Sequence, residues 1–280
     1  MTEPRSDPLA TLLACLRLET LDADLYLGDP GPGEGRLFGG MVAAQSAIAA
    51  GMTVEKERML HSLHAYFLRP GRHDAPIRFV VHRIRDGRSF TTRRVVAHQA
   101  GEAIFNLAAS FALPEAGIEH QDPAPQAPPP EQCEDWEVAR SRVLGLGHAW
   151  RESAAEVRIA EVHHPEQPGP ARQTIWVRLR GTPPDDPLLQ TALLVYMSDR
   201  TLASTAARPH GLPWGMRMTA SLDHTVWIHR PFRLDGRWLL YASESPAAFA
   251  ARGIIFGGMF LDGVRVASVA QEALIRVKKV

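Results

Sequence analysis

Two stretches of this chain are apolar at nearly every position, and most of the segments around them alternate. Met41–Met52 reads MVAAQSAIAAGM, and Asp186–Ala207 reads DPLLQTALLVYMSDRTLASTAA. A helix that is apolar all round belongs in a core rather than on a surface. Pro187 suits the first turn of the second one, where a missing N–H costs nothing. His61–Arg69, Pro76–Arg85, Arg88–Gln99 and Glu102–Leu113 read as strands joined by RPGRHD, DG and AG turns, the pattern of successive hairpins. Ala155–His163 and Gln173–Gly181 are predicted strands before the second helix. Thr219–Pro231, Arg237–Glu244, Ala250–Leu261 and Val264–Val277 follow it. Near the start, residues 7–25 predict a short helix and then one half-buried strand. Gly28–Gly40, GDPGPGEGRLFGG, lacks the spacing of a dinucleotide fingerprint or a P-loop. It reads as a turn that lets backbone approach closely.

The two halves repeat one another. Arg69-Pro70 ends a strand as Arg230-Pro231 does, and Gly101 opens a last strand as Gly263 does, at almost the same offset. Their order and the matching apolar helices imply a duplication. Between the halves, the proline-rich EHQDPAPQAPPPEQ cannot pack as a core and reads as a semi-rigid linker. Trp136–Glu152 has helical spacing and is expected to pack across the junction. The expected organisation is therefore an N-terminal unit over residues 1–113, a linker and connecting helix over 114–150, and a C-terminal unit over 151–280. A sheet needs one face covered and an apolar helix needs cover on all sides, so each unit pairs the two.

Composition narrows the chemistry by exclusion. The formal net charge of the 280 residues is zero, which argues against nucleic acid or an anionic membrane as partner. Cys15 and Cys133 are isolated and make no metal pattern. His61 and His64 lack a carboxylate at ligand spacing, and His163-His164 beside Pro165 reads as a loop, so no metal site is expected. The first residues, MTEPRSDP, are no signal peptide, and no apolar run is long enough to span a bilayer. A cytoplasmic protein is the expectation.

Three polar residues stand out against apolar surroundings. Asp199 falls inside the second apolar run, where a carboxylate is costly unless it is paired, hydrogen-bonded or needed. It is either a helix-end aspartate satisfied by backbone or Arg200, or a general base. Gln271 shares a strand face with Ala267, Val269, Ala273 and Ile275, as an amide satisfied by backbone or as a functional group. Strict alternation puts Ser221 and Asp223 on one face and turns His224 to the other, poorly placed to activate Ser221. No G-x-S-x-G elbow is present, which disfavours a serine-hydrolase mechanism.

The blocks GRLFGGMVAAQSAIAA, LHSLHAYFLRPGRHDAPI, DGRSFTTRRVVAHQAGEAIFNLAASF, YMSDRTL, ASLDHTVWIHRPFR, LLYASESPAA and DGVRVASVAQEALIR together resemble the acyl-CoA thioesterase II family. The resemblance covers nearly the whole chain in order. It implies an α+β double hotdog: two antiparallel sheets, each wrapped around a buried helix, forming an intramolecular pseudo-dimer. The implied activity is hydrolysis of acyl-CoA to free fatty acid and coenzyme A, without a cofactor, in a homo-oligomer of such chains. The family's aspartate, hydroxyl residue and glutamine carry over onto Asp199, Ser221 and Gln271. The hydroxyl is commonly threonine, so Ser221 departs from the pattern and loses a stiffening methyl. By the duplication, the matching first-half positions are Phe38, Leu60 and Ala109, so the chemistry is expected only in the second half. Direct attack by water follows, with Asp199 as base, while Arg69, Arg93 and Arg230 are candidates for the coenzyme A phosphates. A hotdog hydratase or dehydratase would need a histidine and an acid in a short loop motif, which is missing here. A non-catalytic acyl-thioester binder would lose the base, which is present.

Overall fold

A computed structural model describes residues 7–146, 153–161, 167–212 and 214–278. In chain order the elements are α1 (Pro8–Cys15), β1 (Glu19–Asp22), β2 (Leu25–Gly28), α2 (Gly39–Gly51), β3 (Met59–Phe67), β4 (Ile77–Asp86), β5 (Phe90–Gln99) and β6 (Glu102–Ala112). Then come β7 (Glu134–Asp135), α3 (Trp136–Val143), β8 (Ala155–Ile159), β9 (Arg172–Leu179), α4 (Pro187–Ser198) and α5 (Leu202–Ala207). The chain continues with β10 (Arg217–Ser221), β11 (Asp223–Ile228), β12 (Leu239–Phe249), β13 (Arg252–Leu261) and β14 (Val264–Val277). No helix among the described residues is long and apolar enough to cross a membrane.

By packing, the chain divides into two units. The first runs to Ile118 and includes Leu179–Asp199 and Arg233–Asp235; the second comprises Glu119–Arg178, Arg200–Phe232 and Gly236 onward. In the first unit the strand order is β1-β2-β4-β5-β6-β3, with antiparallel neighbours. One row across it pairs Val81, Val95, Leu107 and Ala65, all buried. Alternation places these side chains on one face, and α2 packs on β3 to β6. In α2, every residue from Val42 to Ala50 is buried, as the all-round apolar pattern requires.

In the second unit the order is β11-β14-β13-β12-β9-β8-β7, with β10 also on β14. Ile175, Tyr241, Met259 and Ala267 form the equivalent buried row. Helix α5 packs against β12, β13 and β14. Two antiparallel sheets with apolar helices make this the double-hotdog architecture implied by the resemblance.

Several expectations change in detail. The single helix expected over Asp186–Ala207 is two helices. α4 ends at Ser198, Asp199 is its C-cap, and Thr201 takes a left-handed conformation at φ +66° before α5 begins. A left-handed residue cannot continue a right-handed helix. By packing, α4 groups with the first unit, where it lies along α2. The strand expected near residues 18–25 is a hairpin that turns at Asp24, with φ +60°. Helix α3 stops at Val143 and residues 144–146 are no longer helical; residues 147–152 of the predicted helix lie outside the described residues. The proline-rich segment is not a loose spacer. Gln121 Nε2 donates to Gly263 O at 2.9 Å, Arg230 Nη1 donates to Gln121 Oε1 at 2.5 Å, and Trp176 Nε1 donates to Pro128 O at 2.8 Å. Prolines keep their carbonyls as acceptors, and strand side chains use them.

Candidate active site

In the first unit the site begins with a helix pair. Asp186 caps α4 by accepting from Leu189 N at 2.7 Å, and Pro187 opens its first turn. Residues Gln190 to Ser198 are then all buried. α4 lies antiparallel to α2, because contacts join opposite termini. A Cβ on Gly51, at the end of α2, would lie 2.5 Å from Leu188 Cδ2 at the start of α4. A Cβ on Gly40, at the start of α2, would lie 2.7 Å from Tyr196 O near the end of α4. At Gly51 the obstacle is the flexible tip of Leu188, but at Gly40 it is backbone, so Gly40 of LFGGM sets the helix spacing at that end.

Asp199 sits at this junction. It is half-buried and ends α4 with φ −78° and ψ −1°. A Cβ on Gly39 would lie 2.9 Å from Asp199 Oδ2 and 2.6 Å from Phe67 Cε1. The carboxylate therefore stands against the first turn of α2. That turn has Phe38 at its N-cap, which contributes no capping oxygen and instead packs edge-on against Tyr196 at 5.2 Å. The first amides of a helix have no acceptor within it, and the helix dipole makes this end positive. A negative group is stabilised there in the ground state or as it forms. Asp199 thus stands at a helix end, one of the two positions that the sequence allowed, though the helix ends earlier than expected. It occupies a break in the apolar run, two residues before a left-handed non-glycine residue of the kind that gathers at functional sites.

In the second unit, Ser221 ends β10 and pairs with Ala273 of β14. Gln271, two residues along the same strand, is 1% exposed. Ser221, Ala273 and Gln271 therefore project from one face of the sheet. Asp223 and His224 do not follow the sequence reading. Ser221 pairs with Ala273 while Thr225 pairs with Ala270, so one strand has an extra residue between these points. This is a β-bulge. It is held by Leu222 N donating to Glu272 O at 2.9 Å and by Glu272 N donating to Asp223 Oδ1 at 2.5 Å. The bulge reverses the alternation, so Asp223 turns to backbone and His224 joins the Gln271 face.

His224 is fully buried, and Gln271 Nε2 lies 3.2 Å from its Nδ1. The sequence reading missed it because alternation was counted forward from Ser221. Counted back from Val226, which is also fully buried, the same rule turns His224 inward. Gln271 is thus bonded to a side chain rather than to backbone alone.

The arginine candidates separate by their partners. Arg93 is 1% exposed and committed to the fold: it donates to Asp86 Oδ1 at 2.6 Å and to Thr53 Oγ1 at 2.8 Å. It cannot reach a phosphate in solvent. Arg230 binds Gln121 and Glu119, and Arg69 binds Ala103 O and Glu102 from the surface. A cleft of ≈ 390 Å³ in the first unit is lined by Arg17, Glu19, Asp29, His73 and Asp74 among others, and excludes Asp199. Phe38, Leu60 and Ala109 carry no ionisable group; Leu60 and Ala109 are core residues of the first unit.

Comparison with known proteins agrees along both halves. Residues 149–274 match the family model of acyl-CoA thioesterase, and residues 28–112 match that of the acyl-CoA thioesterase N-terminal domain. Acyl-CoA thioesterase 2 of Haemophilus influenzae is 39% identical over 284 residues, covering 97% of this chain and 99% of that protein. Acyl-coenzyme A thioesterase 8 of Mus musculus is 38% identical, covering 94% and 88%. The crystal structure of acyl-CoA thioesterase II TesB2 from Mycobacterium marinum superposes with a TM-score of 0.79 at 40% identity, covering 96% of this chain and 98% of that one.

Proposed function

Given that the chain belongs to the acyl-CoA thioesterase II family, we propose that it hydrolyses fatty acyl-CoA by direct attack of water on the thioester carbonyl. Asp199, Ser221 and Gln271 work on that one water. Asp199 accepts a proton from it as general base. Ser221 donates a hydrogen bond to the water oxygen, and Gln271 Oε1 accepts the second hydrogen. This leaves one lone pair directed at the carbonyl carbon, a positioning contribution. The carbonyl oxygen becomes negative as the new C–O bond forms, and the Gly39 and Gly40 amides at the start of α2 stabilise it. The tetrahedral intermediate then collapses, the C–S bond breaks, and the proton held by Asp199 passes to the departing thiolate. The products are a fatty acid and coenzyme A.

The observation that carries this reading is the carboxylate of Asp199 at the break after α4, within 2.9 Å of the position of a Gly39 Cβ. Two glycines keep side chains away from amides that have no helical acceptor, and a base stands beside them. The test is Asp199→Asn, which keeps the shape. Hydrolysis, read as free thiol release from acyl-CoA, should fall by roughly two to four powers of ten with an unchanged melting temperature. A folded Asp199→Asn protein that hydrolyses at the wild-type rate would make Asp199 structural. A wild-type protein that binds acyl-CoA and releases no thiol would make the chain a binder, and hydration of an enoyl-CoA without thiol release would make it a hydratase.

A further inference from the structure

Among the described residues one fully buried histidine, His224, lies beside Gln271; it has no role in that mechanism, and its position requires a built irregularity. We propose that His224 is a positioning residue that decides which end of the Gln271 amide faces the reacting water. The inference rests on the proposed role of Gln271.

An amide side chain has two ends of nearly equal shape and opposite chemistry: an oxygen that accepts and an NH₂ that donates. Sterics do not distinguish them, so hydrogen bonding must. Gln271 is 1% exposed and His224 is 0% exposed, so bulk water does not satisfy whichever end is wrong. A mismatched donor or acceptor in such a place carries its full desolvation cost. Gln271 Nε2 and His224 Nδ1 lie 3.2 Å apart; in the proposed arrangement the imidazole nitrogen accepts and the amide NH₂ donates. That arrangement requires a neutral His224 with its proton on Nε2, and it leaves Oε1 as the end of the amide that His224 does not take.

The attacking water needs that end. One of its hydrogens goes to Asp199 and the other requires an acceptor. An oxygen supplies it; an NH₂ turned the same way would donate into the lone pair that must attack. The bulge at Leu222 has a consequence in these terms. Without it His224 would face away from Gln271, and one backbone hydrogen bond and one to the Asp223 carboxylate hold the extra residue in place. Bulges of this kind re-aim a side chain at a site.

The test compares kcat and KM for acyl-CoA hydrolysis in the wild type, His224→Leu, His224→Asn, Gln271→Ala and the double variant His224→Leu/Gln271→Ala. His224→Leu should lower kcat about 10²-fold, the scale of a reacting group held about 1 Å out of place, and leave KM unchanged. His224→Asn, whose Oδ1 can stand where Nδ1 stood, should restore most of the loss. The double variant should be no slower than Gln271→Ala alone. Wild-type kcat in folded His224→Leu overturns the proposal, as does a double variant in which the two losses multiply. His224→Asn as slow as His224→Leu also overturns it. Wild-type kcat in Gln271→Ala instead removes Gln271 from the reaction, and the proposal with it. Where His224→Leu does not fold, ¹⁵N chemical shifts of the wild-type protein decide. The proposal requires the neutral Nε2–H tautomer at His224, and a proton on Nδ1 refutes it.

Discussion

Two glycines at opposite ends of α2 offer a paired test of where the chemistry lies. A Cβ at Gly39 would meet Phe67 Cε1 at 2.6 Å, Phe67 Cζ at 2.9 Å and Asp199 Oδ2 at 2.9 Å. Favourable contacts between carbons lie at roughly 3.5–4.0 Å, so something must move by about 1 Å. The Phe67 ring packs at a tilt against Phe105, with centroids 5.0 Å apart, and Phe105 is 1% exposed, so the ring has little room to retreat. The half-buried carboxylate is the side that yields. A Cβ at Gly51 collides instead with the tip of Leu188, a flexible and only partly buried side chain on the first turn of α4. The two sites are about 18 Å apart at 1.5 Å per residue.

Overpacking of this kind costs about 1–3 kcal/mol. Replacing a helical glycine by alanine returns about 0.5–1 kcal/mol, more fully inside the helix than at its first residue. Gly39→Ala should therefore lose about 1–3 kcal/mol and Gly51→Ala less. For a chain of this size each kcal/mol lowers the melting temperature by about 2–4 °C. Catalysis separates them further. A carboxylate displaced by about 1 Å should cost about 10²-fold in kcat, so Gly39→Ala should lose that factor while still folded. Gly51→Ala should keep near wild-type kcat at a temperature where it is folded. Melting curves and thiol release on the two purified variants make the measurement. Wild-type kcat in Gly39→Ala would refute the reasoning, and so would losses in both variants that merely track their melting temperatures.

Two further outcomes are expected. Ser221→Ala should slow hydrolysis while Ser221→Thr preserves it, because the hydroxyl only positions water; equal rates in Ser221→Ala and the wild type would remove the residue from the mechanism. Stability should fall as the solution is acidified through the histidine range. Burial holds the His61 imidazole below its ordinary value, and His229 is lowered by burial first and then by Arg265 and Arg230. The unfolded chain, titrating near pH 6.5, then binds more protons than the fold just below that pH, so stability present above about pH 6.5 is lost as pH drops toward the folded values. Melting temperatures at about pH 7.5 and about pH 5.5 should differ less in His61→Gln/His229→Gln, and an unchanged difference would be contrary evidence.

The fold was legible where one physical rule governs a whole segment. The apolar run Met41–Met52 could be satisfied only inside a core, and α2 covers nearly the same residues. The strand β14 kept its parity from Ala267 to Ala273, so the burial of Gln271 followed from alternation alone. What escaped was irregularity. Nothing in SDRTL marks the stop of α4, because Thr201 adopts φ > 0 without being glycine or asparagine. The bulge after Ser221 has no glycine signal either; it is fixed by hydrogen bonds to Glu272, a residue about 50 positions further along the chain, a distance that pattern reading does not span. Both irregularities adjoin proposed site residues. Regular elements answer to local pattern, while departures from them depend on contacts distant in sequence.

The placement of Asp199 against α2 bears on how the proposed reaction handles charge. Before the reaction the negative charge is on the carboxylate, beside the positive end of a buried helix. As Asp199 takes the water proton it becomes neutral, and the same unit of charge appears on the carbonyl oxygen. If the Gly39 and Gly40 amides receive that oxygen, the charge moves within one field instead of from one environment to another. Dipoles already oriented for the carboxylate then need little reorganisation for the oxyanion, which is the condition under which fixed dipoles contribute most to rate. An ordinary side-chain cap at Phe38 would remove this advantage, because its oxygen would occupy the amides throughout. In the proposed reaction the aromatic residue at the N-cap and the two glycines after it thus belong to one arrangement: the start of α2, which no side chain caps, is kept for the reacting group.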